Sequence, residues 1–196
     1  HLIKAPLGYN LVNIIDINGT ELPDSKMYET LVSELKQMAC VNRVGLGDGT
    51  PFDMGMNYTA RYGDKEIPFQ ILYCNKEYCD ILGFEVLRDN RIADPTKYFL
   101  SEGSMKALEL KEDATSFDFV AWGVHPVAGI VKNFQLHNVL LENRPVVIIQ
   151  TENKEELNNP RDILVEVNGD PFEARQEVAA VYKKLTGMDF TGKFMD

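Results

Sequence analysis

Cysteine, tryptophan, basic charge and long apolar runs are all scarce in this chain, and each shortage removes a class of protein. Three cysteines, Cys40, Cys74 and Cys79, among 196 residues are too few, and odd in number, for a disulfide scaffold. Cys74 and Cys79 lack the two-residue spacing of a zinc knuckle and no Cys/His cluster accompanies them, so no metal site is expected. Acidic residues outnumber basic ones 30 to 20, a formal net charge of −10. That balance removes the basic footprint that phosphate backbones require, and nucleic acid is not an expected partner. Apolar stretches reach only about 6–8 residues where a membrane helix needs about 20, so no membrane partner is expected either. Cysteine usage points to a reducing, cytoplasmic setting. No signal-peptide pattern opens the sequence; because it begins at His1, a leader removed in secretion or organelle import stays open. Two glycosylation sequons, Asn18-Gly19-Thr20 and Asn57-Tyr58-Thr59, match what chance supplies and decide nothing.

What is present is an ordinary globular mixture, 44% hydrophobic, 10% aromatic and 26% charged. The pattern predicts an α+β chain, read as a single domain over 1–196, with a mixed or antiparallel sheet of about five or six strands and flanking helices. Residues 11–17 read as a strand ending at Asn18-Gly19. An amphipathic helix follows over about 25–40, capped by Asp24 or Ser25, with Met27, Tyr28, Leu31, Val32, Leu35 and Met38 at helical spacing. Gly45-Leu46-Gly47-Asp48-Gly49-Thr50-Pro51 reads as a turn; a phosphate loop would need a following helix N-terminus and a Lys-Ser/Thr pair, which are missing. Met56–Tyr62 and Phe69–Cys74 form a hairpin around Gly63-Asp64. A short helix closes at Gly83, another is expected near 96–100, and a turn over Ser104–Leu110. Strands are expected at Phe117–Val124, Val131–Leu141, Val146–Thr151 and Ile163–Val167, with a tight turn at Glu142–Arg144 and a polar loop over Asn153–Arg161. The clearest helix spans 171–186: Asp170 caps, Pro171 takes the first helical position, Glu173 completes a capping box, and Gly187 stops it.

Ile71-Leu72-Tyr73-Cys74-Asn75-Lys76-Glu77-Tyr78-Cys79-Asp80-Ile81-Leu82-Gly83-Phe84 resembles the early part of a PAS domain, where a strand ends at an Asn, a short helix follows, and Leu-Gly with an aromatic closes it. Asn75 caps the helix, Tyr78, Cys79 and Leu82 face inward, and Gly83 lets the chain turn away. The resemblance covers these 14 residues and implies a PAS-like core over 50–152, with an N-terminal strand–helix extension and the C-terminal helix outside it. Flavin-adduct members carry a reactive Cys after this motif; residues 85–116 hold none, which disfavours a light-sensing flavin thiol.

Candidate chemistry is thin. His125, before Pro126 at a strand end, and His137, alternating with Leu136 and Val139, would face one pocket from neighbouring strands. With Tyr78, Trp122 and Phe134 they form the candidate ligand-binding set, suited to a small planar molecule. No cofactor is named by the residues. Cys79 with His125 is the one nucleophile–base pairing worth entertaining, although nothing flanking either residue activates a thiol. Asp162 and Glu166 sit on a strand like the carboxylates of metal-dependent nucleases, but Asn168 stands where a Lys would be needed. The leading expectation is a small-ligand-binding or sensory domain in which pocket occupancy shifts the 171–186 helix, itself a candidate surface for a homo-oligomer or a partner protein. Two alternatives stay open: a small enzyme using His125 or Cys79 in that pocket, and a non-catalytic interaction or structural subunit.

Overall fold

The computed structural model describes residues 11–50, 56–134 and 144–195. Short β-branched and aromatic runs cannot bury a face alone, and here they associate into one mixed sheet. Its near half is built from β1 (Ile14–Asn18), β2 (Val41–Asp48), β10 (Asp162–Val167) and β11 (Lys193–Phe194). The strand order is β11-β1-β10-β2, and β10 lies antiparallel between β1 and β2. Two split β-α-β units therefore interleave: β1 reaches β2 through α1 (Ser25–Gln37), and β10 reaches β11 through α4 (Pro171–Thr186). Both helices start where their sequences say they should. The Asp24 carboxylate accepts from Met27 N, and Asp170 accepts from Phe172 N and Glu173 N. Their buried stripes, Tyr28, Leu31, Val32 and Leu35 on α1 with Ala174, Val178 and Tyr182 on α4, share a core with Ile15, Ile17, Val44, Ile163 and Val165 of the strands.

The far half is inserted between β2 and β10. It comprises β3 (Met56–Tyr62), β4 (Lys65–Cys74), α2 (Lys76–Leu82), β5 (Val86–Asp89), β6 (Thr96–Ser101), α3 (Glu102–Ala107), β7 (Ser116–Asp118), β8 (Val124–Val131) and β9 (Val146–Thr151). The order continues β2-β4-β9-β6-β8-β5, with β3 hairpinned onto β4 and β7 onto β8. One of its faces carries Ile67, Phe69, Ile71, Tyr98, Leu100, Phe117 and Phe119; the opposite face carries Leu72, Cys74, Val146 and Ile148 under α2.

The halves meet through β2 and β4, which pair at only two positions, Gly47 with Cys74 and Asp48 with Tyr73. Asn75 lengthens this seam past the end of the strand. Its backbone N–H donates to Leu46 O at 2.9 Å, and its Oδ1 accepts from Leu46 N at 3.0 Å. The same Oδ1 accepts from Tyr78 N at 3.0 Å and caps α2. The helix then lies directly on bare backbone: a Cβ on Gly45 would stand 2.5 Å from Tyr78 Cα, and one on Gly47 would stand 2.9 Å from the Tyr78 ring. Gly83 ends α2 in the left-handed region (φ +66°).

Four expectations need correction. Eleven strands are present among the described residues, not five or six. The first part of the glycine run expected as a turn, residues 45–48, is the second half of β2, since alternate residues Gly45 and Gly47 face α2 while Val44 and Leu46 face α1. The helix expected near 96–100 is strand β6, held between β9 and β8, with Tyr98 and Leu100 alternating into the core. The run expected as one strand over 117–124 is broken by a 3₁₀ turn at Val120–Trp122, and β8 ends at Val131. Residues 132–134 are not in a strand, and the rest of the expected 131–141 strand and most of the turn after it lie outside the described residues.

Because one Asn75 oxygen serves the seam and the cap together, Asn75→Ala is expected to cost about 1–3 kcal/mol, more than an ordinary lost cap. Asn75→Asp, which keeps an acceptor oxygen, is expected to retain most of that stability. Urea unfolding of the three chains checks the order.

Candidate functional site

The candidate ligand residues do not converge. Tyr78 is fully buried beneath α2, its phenol pushed well above the ordinary range by burial, and its hydroxyl has no hydrogen-bond partner among the described residues. Phe134 belongs to the same cluster and stacks on Phe84, with centroids 4.6 Å apart. Trp122 and His125 instead sit with the cluster on the other face of the far half. His125 stacks on Tyr98 at 3.9 Å, and its Nε2 lies against the Trp122 carbonyl, which commits that nitrogen to donating a proton. His137 lies outside the described residues. Cys79 packs in the α2 cluster, apart from His125, and its near neighbour is Cys74, with sulfurs 3.3 Å apart. Asp162 accepts from Gly49 N at 2.8 Å and pairs with Arg161, while Glu166 pairs with Arg43 at 2.8 Å. Among the described residues no group of three or more His, Cys, Asp or Glu side chains could hold a metal ion.

A hollow of about 620 Å³ lies where the two halves meet, between α1, the start of α2 and the polar loop after β9. Tyr28, Val32, Leu46, Asn75, Thr151 and Leu157 line it. Several polar groups in and beside it are engaged within the chain. Asn75 is spent on the seam. Glu156 Oε2, beside the cleft, accepts from Thr96 Oγ1 at 2.8 Å, Thr151 Oγ1 at 2.9 Å and the Tyr73 hydroxyl at 2.9 Å. Those bonds hold the Glu156 carboxyl below its usual value and tie the return loop to the ends of three far-half strands. Tyr28 OH donates to Pro160 O at 3.2 Å from the other side. Asp48 accepts from Arg161 N, and burial keeps its carboxyl above the ordinary range. The hydrogen bonds of the cleft serve the chain itself, fastening the crossings between halves.

A different kind of surface stands at the far end. The turn joining β7 to β8 exposes Val120 (39%) and Val124 (67%) beside a partly covered Trp122. Val120 has φ +52°, a conformation that a β-branched residue adopts only under constraint. The constraint is visible: Asp118 Oδ1 accepts from Val120 N at 2.9 Å, the Tyr58 hydroxyl accepts from Ala121 N at 3.1 Å, and Phe119 N donates to Gly123 O at 2.8 Å. Edge-to-face contacts of Phe119 with Tyr58 and Phe69 anchor it from below. An apolar knob held rigid against its own backbone preference is the most function-like feature of the described surface. Sequence reasoning passed over it because nothing marks a Val for a positive φ; the Asp118…Gly123 spacing was the available signal.

No protein-family model matches this chain, and no curated protein matches it in sequence. Solved structures do share its fold. The extracellular domain of the noncanonical ABC-type transporter YknZ from Gram-positive bacteria matches with a TM-score of 0.61 and 13% identity, over 93% of this chain and 99% of that one. The periplasmic region of MacB from Actinobacillus actinomycetemcomitans matches with a TM-score of 0.63 and 13% identity, over 92% and 87%. A domain of a predicted permease protein from Porphyromonas gingivalis matches with a TM-score of 0.55 and 13% identity, over 96% and 93%.

These likenesses overturn several expectations. The PAS resemblance around Asn75 is local: strand, Asn cap and Gly-terminated helix are all present, but the fold around them is that of the transporter domains. The small-ligand sensor and the cytoplasmic setting fall with it, because the matching structures are extracellular or periplasmic domains. The expectation of no membrane partner also fails, since those domains are parts of transporters. Apolar run length could not have revealed this, as it tests only whether the segment in hand crosses a bilayer.

Two outcomes follow from the geometry. Val120→Asn, which tolerates the left-handed region, is expected to stabilise the chain by about 0.5–1 kcal/mol, read as a raised urea midpoint. Glu156→Gln is expected to destabilise by about 0.5–1 kcal/mol at pH 7, a modest figure because the side chain is exposed. A carboxyl held below its ordinary 4.5 in the folded state stabilises fully above that value and loses the contribution as pH falls through its folded pKa. The two urea midpoints should therefore differ at pH 7, and the difference should shrink as pH is lowered below 4.5.

Proposed function

We propose that this chain is the extracytoplasmic domain of an ABC-type transporter permease. One observation carries the reading: its whole architecture, over 93% of this chain and 99% of the neighbour, superposes on the extracellular domain of YknZ. A match that spans both chains nearly end to end supports correspondence of entire domains rather than of a shared supersecondary unit. The site geometry is consistent with such a part. Cys79 and His125 lie apart, several polar groups of the cleft are engaged internally, and an exposed feature at the far end is a rigid apolar knob. A domain of this kind works by contacts and by holding a shape between elements of a larger assembly. The inserted far half places that knob far along the sheet from β1 and β11, where both ends of the described chain lie.

The test is sidedness. In cells expressing the full-length product that carries this chain, Asn158→Cys places a thiol on the exposed return loop. A membrane-impermeant maleimide is expected to label that thiol in intact cells, above the background of the unsubstituted protein. Labelling that appears only after lysis would overturn the reading.

A further inference from the structure

Cys74 ends β4 and is fully buried; Cys79 lies on α2 and is partly exposed. Their Sγ atoms are 3.3 Å apart, although each is a free thiol. Two elements of different type rarely aim sulfurs at one another at this range, and here the aim is set by a frame that cannot relax. Asn75, between the two cysteines, is fixed to Leu46 by two hydrogen bonds and to Tyr78 by a third, while α2 is pressed onto the glycine face of β2. A disulfide requires the sulfurs to close by about 1.2 Å more, to about 2.05 Å. Cys40, the third cysteine, packs against the α1–α4 core, in a different cluster from this pair.

We propose that Cys74 and Cys79 are an oxidation site that closes into a disulfide, stapling α2 to the end of β4 at the seam between the two halves. The oxidant is an exposed disulfide, either small-molecule or that of a thiol oxidase. The Cys79 thiolate attacks one sulfur of that disulfide, forming a mixed disulfide and expelling one thiolate. Cys74 then loses its proton and attacks Cys79 Sγ, expelling the second thiolate. Two thiol protons end on the two leaving groups, and two electrons pass from the protein sulfurs to the oxidant. Cys79 is the entry point because it is the exposed partner. Burial pushes the Cys74 thiol well above its ordinary range, so the second step is expected to quicken as pH rises. That the staple forms in the cell rests on the extracytoplasmic reading, since such compartments sustain disulfides; the geometry does not rest on it.

The experiment incubates the 196-residue chain with oxidised glutathione, denatures it, blocks remaining thiols with iodoacetamide and maps tryptic peptides by mass. Lys76 separates the two cysteines, so trypsin places them on the peptides 66–76 and 77–88. The expected result is a linked pair of these peptides, 2 Da lighter than the sum of their thiol forms, with Cys40 alkylated. In Cys79→Ser the linked pair is expected to vanish and Cys74 to alkylate. Three alkylated cysteines, a link through Cys40, or a glutathione adduct that persists on Cys79 would each overturn the proposal. Acid-trapped protein from cells supplies a separate arm. Closure in both settings supports site and compartment, while closure in vitro with free thiols in cells upholds the site and counts against the extracytoplasmic reading.

Discussion

An eleven-strand sheet continuous across only two backbone pairs would ordinarily be a hinge. Gly47–Cys74 and Asp48–Tyr73 are all the ladder that joins the near half to the far half directly. What makes the seam a structural element is Asn75, whose backbone and side chain together give Leu46 both hydrogen bonds that a further strand residue would have given. The same oxygen then starts α2, so the seam and the helix that covers it cannot form separately. An amide side chain is suited to the task because it is short, carries an acceptor, and costs little when partly buried and fully bonded.

The rest of the fold is arranged around that junction. Tyr78 enters the space above Gly45 and Gly47 and joins Ile14 and Leu164 of the near half to Leu72, Val146 and Ile148 of the far half in one cluster. On the opposite side of the near half, α1 and α4 cover the other face of the same strands, so β1, β2 and β10 are buried on both sides. The two chain crossings are tied to each other, Asp48 accepting from Arg161 N and Asp162 from Gly49 N, while Glu156 and Tyr28 hold the return loop. Several small, mutually dependent bonds thus do at the middle of the molecule what a broad ladder does elsewhere.

Local chemistry was legible in the sequence and long-range pairing was not. The caps at Asp24, Asn75 and Asp170, the stop at Gly83 and Gly187, and the β3–β4 hairpin follow from signals within a few residues of each element. The split β-α-β arrangement depends on β10 entering between β1 and β2, about a hundred residues away, and no local signal carries that. Gly45 and Gly47 were misread for a physical reason: two glycines near Pro51 look like a turn until a helix is known to need bare strand beneath it. The candidate site fared unevenly. Trp122 and His125 do lie together, but Tyr78 and Phe134 are core residues on the other face, because apolar character marks a side chain for burial without saying which face of the sheet it will enter.

The resemblance around Asn75 shows how a sound local inference leads to the wrong whole. Strand, Asn cap, short helix and glycine stop solve one problem, turning a strand end back over its own sheet, and any fold with that problem can use them. A PAS reading adds the requirement that the sheet curve around a hollow. Here the space under α2 is filled by Tyr78, Ile81 and Leu82, each nearly or fully buried, and the open cleft lies on the other side of Asn75. What the motif serves in this chain is cohesion between two halves, a demand that suits a domain proposed to hold its shape within a transporter. The same packing brings Cys74 and Cys79 together, so the place where cohesion is most concentrated is also the place where one added covalent bond would reinforce it most directly.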